Sequence, residues 1–176
     1  MTTTTSDDRS IVDEARERIA EPYRAGSDHP VGSYLGVMGV YGAVTTALGV
    51  LAWRRGKVPD RIAAGDLALI TAATYRLSRT LAKDPVTSPI RAPFTRFAGT
   101  SGPAELKEDV RGTGLQKSVG ELVTCPFCLA QWVATGFAFG LLFAPRPTRF
   151  VASVMTAVAG ADLLQFAHAS AQQAAE

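Results

Sequence analysis

The chain has only two cysteines and two histidines in 176 residues. Two cysteines, in the spacing Cys125-Pro126-Phe127-Cys128, are too few for the cross-linked framework of a small secreted domain. The histidines are His29 and His168, so a metal site built on imidazole has little to draw on. An excess of one charge is also missing. Lys and Arg total 18 against 16 Asp and Glu, a formal net charge of +2, and that balance gives no reason to expect nucleic acid. What remains is length enough for one domain, a 47% hydrophobic composition and a mean hydropathy of +0.10. That mean hides a sharp division. Charge collects in the first 30 residues, in 54–61 and in 76–121, and other runs are almost purely apolar. A soluble chain mixes the two at helical or strand period.

Residues 1–32 read as a polar N-terminal tail. Its Thr-rich start has a composition that does not pack. Ile11, Ala15 and Ile19 then put one apolar stripe on a short helix over 9–21, which Pro22 stops. Residues 33–53 carry no charge, and about 21 such residues cross a hydrocarbon layer ~30 Å thick. Trp53 followed by Arg54, Arg55 and Lys57 makes an interfacial anchor. The preceding segment is too long and too acidic for a cleaved leader, and no small-residue cleavage site follows. Gly36, Gly39, Gly42 and Gly49 recur at near-helical steps and allow a neighbouring helix to approach closely.

A second helix over 61–82 has a weaker membrane signal. Asp60 is its expected N-cap, and Asp66, Arg76 and Arg79 interrupt its apolar surface. Residues 84–120 form a long polar loop whose prolines and glycines forbid a long helix. Within it Arg91, Phe94 and Arg96 mix cations with an aromatic, a surface for lipid headgroups or an anionic ligand. Residues 122–144 and 149–171 are the last two apolar runs, and 173–176 are a short tail. The expected fold is therefore all-α: a multi-pass membrane bundle of about four transmembrane helices in 33–172, joined by one long loop. An even count puts both termini on one side, and the positive-inside rule sets them and the long loop in the cytoplasm, across a bacterial inner membrane.

Two constellations stand out. Cys125 and Cys128 lie where the polar loop gives way to an apolar run. At a helix mouth the pair could be a redox couple, favoured by the helix dipole. It could also be half of a zinc site with His168 as a further candidate, or two small side chains packed at a bend. The other constellation is Arg76 with Asp162. Parallel second and fourth helices would bring them together, with Tyr75, Arg79 and Gln165 nearby. It reads either as a structural ion pair or as a polar cavity for an ion or headgroup.

The strings Tyr75-Arg76-Leu77-Ser78-Arg79, Lys83-Asp84-Pro85-Val86-Thr87-Ser88-Pro89, Arg91-Ala92-Pro93-Phe94 and Gly120-Glu121-Leu122-Val123-Thr124-Cys125-Pro126-Phe127-Cys128-Leu129-Ala130-Gln131-Trp132 resemble the bacterial DUF1360 family over roughly 64–165. The resemblance implies a small integral membrane protein without an assigned activity, and it brings no catalytic residue. The expected role is packing against lipid, a membrane partner or a second copy. The alternatives are thiol–disulfide exchange and zinc binding through the cysteine pair. No other cofactor is expected, and the residues leave open whether the protein is an enzyme.

Overall fold

The computed structural model describes residues 31–175. The expected helix over 9–21, His29 and the extreme C-terminus lie outside them. Helix α1 runs Val31–Arg54 and α2 runs Ala64–Lys83. A 3-10 turn at Pro85–Thr87 leads into the short α3, Ser88–Arg91. Strands β1 (Thr95–Gly102) and β2 (Glu105–Val110) follow, then α4 (Gly114–Thr124), α5 (Pro126–Phe143) and α6 (Pro145–Gln173).

Helix α2 is the centre, packing most extensively on α6 and α5. Asp66 near its start binds Arg149 near the start of α6 through two hydrogen bonds of 2.7 Å. Further along, the Thr156 hydroxyl donates to the Leu69 carbonyl at 3.1 Å, so α2 and α6 run parallel. The Arg149 hydrogen bonds hold the Asp66 carboxyl below its usual range. Its contribution to stability is therefore present at neutral pH and fades as pH falls below the unfolded carboxylate value of ~4 and through the depressed folded one. Between the helices Ile70, Ala73, Phe137 and Ala152 form a small buried core flanked by Leu77, Val133 and Met155. Helix α1 lies on α4 and α5. A single residue, Ala144, separates α5 from α6, and the turn is tight: a Cβ on Gly140 would meet Thr148 Oγ1 at 2.7 Å.

The structure corrects the expected fold in two respects. Among the described residues three helices, not four, are long and apolar enough to cross a membrane: α1, α5 and α6. Helix α2 is excluded because Asp66, Arg76, Arg79 and Lys83 lower its hydropathy. The all-α expectation also fails in the long loop, where β1 and β2 pair antiparallel from Thr95↔Val110 to Gly102↔Glu105. Prolines and glycines there forbid a helix but permit a hairpin, and Leu106, Glu108 and Val110 alternate inward in β2. A charged residue at the middle inward position hides that alternation. The turn sets Ala104 at φ 58°, a left-handed conformation that side chains rarely adopt. Asp60 is not the N-cap of α2. Ala63 holds that position without a side-chain cap.

Arg91 locks the hairpin to the bundle. Its side chain is 0% exposed. Nε donates to Glu108, which is 6% exposed. One terminal nitrogen donates to the Leu81 carbonyl at 2.7 Å and to Thr87 Oγ1 at 2.6 Å, and the other to the Asp84 carbonyl at 3.1 Å. On the opposite side α4 seats against the hairpin at Gly120, where a Cβ would lie 2.6 Å from Val110 Cγ1 and 3.0 Å from the Phe94 carbonyl.

Removing one member of a buried ion pair strands the other and typically costs about 3–5 kcal/mol. Arg91→Met or Glu108→Leu alone should therefore lower the thermal midpoint of the detergent-solubilised protein sharply. The double variant should recover part of the loss, and additive losses would contradict the coupling.

Candidate functional site

Helix α4 ends at Thr124, and Cys125 takes an extended conformation (φ −99°, ψ 108°) as the N-cap of α5. Pro126 follows at the head of α5, where a missing N–H costs nothing. The Cys125 Sγ accepts a hydrogen bond of 3.3 Å from the Cys128 N–H, so both cysteines sit on the first turn of α5. Cys125 is half-buried, Cys128 is exposed, and both are free thiols.

Cys128 lines a cavity of about 390 Å³ between α1, α4 and α5. Tyr34, Tyr41, Ser118, Glu121 and Trp132 supply its polar and aromatic wall, while Val37, Met38 and Leu122 make the rest apolar. The Tyr34 hydroxyl donates to Glu121 Oε2. The Tyr41 hydroxyl accepts from Gln131 Nε2 at 2.6 Å and lies 2.8 Å from Thr135 Oγ1. Thr135 already gives its proton to the Gln131 carbonyl at 2.8 Å, so Tyr41 must donate to Thr135. The Trp132 ring meets Tyr41 edge-on, with centroids 5.0 Å apart. Ser118 differs from these: it is 2% exposed, and its Oγ has no hydrogen-bond partner.

The second constellation is a polar seam along α2. The Arg76 guanidinium donates to Asp84 Oδ2 at 3.0 Å. Its Nε lies 3.2 Å from Asp162 Oδ2, an ion pair without hydrogen-bond alignment. Arg79 turns away from Asp162 and pairs with Glu105 at the start of β2. Tyr75 is exposed, its ring 5.9 Å from the Arg79 guanidinium carbon. Gln165 is exposed and makes no hydrogen bond among the described residues.

The other expected residues scatter. Arg91 is enclosed, so its side chain is not offered to a headgroup. Phe94 is half-buried beside Gly120, and Arg96 is exposed on β1. His168 is exposed on α6 and does not join the cysteines: among the described residues no three His, Cys, Asp or Glu side chains gather to hold a metal. Sequence reasoning missed Asp84, Glu105 and Glu108 as partners, and it missed Tyr34, Tyr41 and Ser118 altogether. The available signal was spacing. Tyr34 and Tyr41 are seven apart on one helix face, and Ser118, Glu121 and Leu122 fall at i, i+3 and i+4.

A family profile described as "Protein of unknown function (DUF1360)" matches residues 69–168. That range holds the Arg76 seam, the hairpin and the cysteine pair, but not Tyr34 or Tyr41 of α1. The "Sporulation protein YjcA" of Bacillus subtilis (strain 168) is 31% identical over 71 residues, which is 39% of this chain and 60% of that protein. No solved structure matches.

Arg76 has two carboxylate partners, whereas Asp162 has Arg76 as its one ion-pair partner among the described residues. Arg76→Leu should therefore reduce folded yield more than Asp162→Leu, which leaves Arg76 with Asp84. The Arg76→Leu/Asp162→Leu double variant should cost less than the sum of the two, with a coupling of about 0.5–3 kcal/mol read from thermal midpoints. Equal single losses would contradict this asymmetry.

Proposed function

The chain belongs to the DUF1360 family, and on that premise we propose that it is an integral protein of a bacterial cytoplasmic membrane, acting by packing against lipid or a membrane partner. The supporting observation is the exposure of its apolar helices. In the apolar windows of α1, α5 and α6 only 6%, 6% and 11% of residues are buried within the chain. Met38, Val40, Leu163, Leu164 and Phe166 are among the large side chains left outside. A contiguous apolar surface on this scale needs a non-aqueous surround. Asp66, Arg76 and Arg79 of α2 each meet a counter-charge on a neighbouring element, which lowers the cost of holding them beside apolar helices. The hairpin, the start of α1 and the end of α6 share one face of the bundle. We place that face, with the cations Arg96, Lys107 and Arg111, in the cytoplasm, while Arg54, Arg55, Lys57, Arg61 and Arg146 lie toward the other.

A second reading, thiol–disulfide exchange, draws its support from the cysteine geometry. Two free thiols share the first turn of a helix, and residues at i and i+3 there can come within bridging reach.

Expressed in a bacterial host, the full chain should sediment with membranes and stay there through an alkaline carbonate wash. Release into the supernatant would overturn the membrane reading. For the second reading, the Cys125→Ser/Cys128→Ser variant should abolish the phenotype that the wild-type gene restores to a deletion strain. Full complementation by that variant would leave packing as the function.

A further inference from the structure

We propose that the outer strand of the hairpin, with the turn after α2, is a seat for acidic phospholipid of the surrounding leaflet. The inference rests on the membrane reading and names the lipid class and the residues that meet it.

The hairpin has an inner and an outer face. Residues directly opposite on paired antiparallel strands project to the same side. Thr95 stands opposite Val110, and Phe97 opposite Glu108. Val110 meets α4 at Gly120 and Glu108 is buried on Arg91, so this side looks at the bundle. Thr95 is 5% exposed on it, yet Phe97, two residues on, is 71% exposed. The cause is position. Strand β2 packs on α2 and α4, whereas β1 packs chiefly on β2. Phe97 therefore overhangs the helices with its ring turned towards their level, where an embedded bundle is surrounded by lipid. Val86 and Ile90, four residues apart between α2 and β1, are 80% and 61% exposed. Apolar side chains carried at that level enter the boundary between headgroups and acyl chains. Another strand is a poorer occupant. Register shifts after Phe97 and after Thr100 break the ladder along β1, which blunts an edge against further pairing.

Charge selects the lipid. Within 83–111 the acids Asp84, Glu105 and Glu108 are taken by Arg76, Arg79 and Arg91. Lys83, Arg96, Lys107 and Arg111 have no ion-pair partner among the described residues, and Asp109, opposite Arg96, is the one acid left in that range. The internal pairs thus leave cations in excess around the exposed apolar side chains. That combination is complementary to anionic lipid. Arg96 and Lys107 rise from the outer face by strand alternation. The hairpin is one layer thick, so their field reaches the lipid side within a Debye length of about 8 Å.

The test uses the full chain in lipid nanodiscs, with Trp53→Phe and Trp132→Phe so that a single introduced tryptophan reports. It is introduced as Phe97→Trp, as Lys107→Trp on the outer face, or as Leu164→Trp on the apolar flank of α6. All three positions are exposed, so none of these exchanges enters the core. The discs contain phosphatidylcholine and phosphatidylglycerol at equal mole fraction, with bromine on the acyl chains of one or the other, and acrylamide probes from the water. The Phe97→Trp variant should be quenched by bromine and shielded from acrylamide, and the Lys107→Trp variant should show the reverse. Brominated phosphatidylglycerol should quench the Phe97→Trp variant with about fivefold higher apparent affinity than brominated phosphatidylcholine, the factor that about 1 kcal/mol for one surface cation gives. Adding Lys83→Gln/Arg96→Gln/Lys107→Gln, which leaves Arg111 to offset Asp109, should bring that ratio close to one. Equal quenching by the two lipids, or acrylamide access equal to that of the Lys107→Trp variant, overturns the proposal. The Leu164→Trp variant scores the membrane reading separately. Bromine quenching there with none at position 97 overturns this inference alone, and quenching at neither position overturns both.

Discussion

A guanidinium taken wholly out of water must have its N–H groups met by protein, and Arg91 is where this fold meets that demand. Four of its five N–H directions are used, on Glu108, Leu81, Thr87 and Asp84. The carbonyls of Leu81 and Asp84 belong to the last turn and C-cap of α2, where helix carbonyls lack intrahelical donors. Thr87 Oγ1 passes the network on to the Thr80 carbonyl at 2.5 Å. One side chain thus caps the central helix, closes the turn after it and pins β2. Through β2 it sets the height of Val110, and Val110 is what α4 meets at Gly120. The cavity wall carried by α4 is positioned by a charge several elements away.

The charges of α2 follow the same rule. Asp66, Arg76 and Arg79 each find a counter-charge outside the helix: on α6, on the turn after α2 together with α6, and on β2. These pairs weaken the helix as a candidate for entering lipid alone. They also fix which neighbours it takes and in which direction, since each partner fits at one height. Their effect here is on register.

The apolar runs of α1, α5 and α6 were legible because a long stretch with few or no charges suits a bilayer better than the core of so short a chain. The cysteine pair at the head of α5 was legible for a similar reason: proline leaves few choices for the residue before it. The hairpin was not. Its inward alternation runs Leu106, Glu108, Val110, and a glutamate at the centre reads as a solvated position until its buried partner is known. That partner, Arg91, lies 17 residues upstream in a stretch that looks like a basic loop. Ser118 was hidden by a different cause. A serine next to a lysine gives no sign of burial, and its isolation comes from α1, which approaches from far away in the sequence.

The single residue between α5 and α6 bears on how the bundle can move. With Ala144 as the whole connection and Gly140 pressed against Thr148, the two helices have no slack to part at that end. Two hydrogen bonds from Arg149 to Asp66 tie the same end to α2. Any opening between α5 and α6 must therefore widen toward the opposite end, where the head of α5 carries the two thiols.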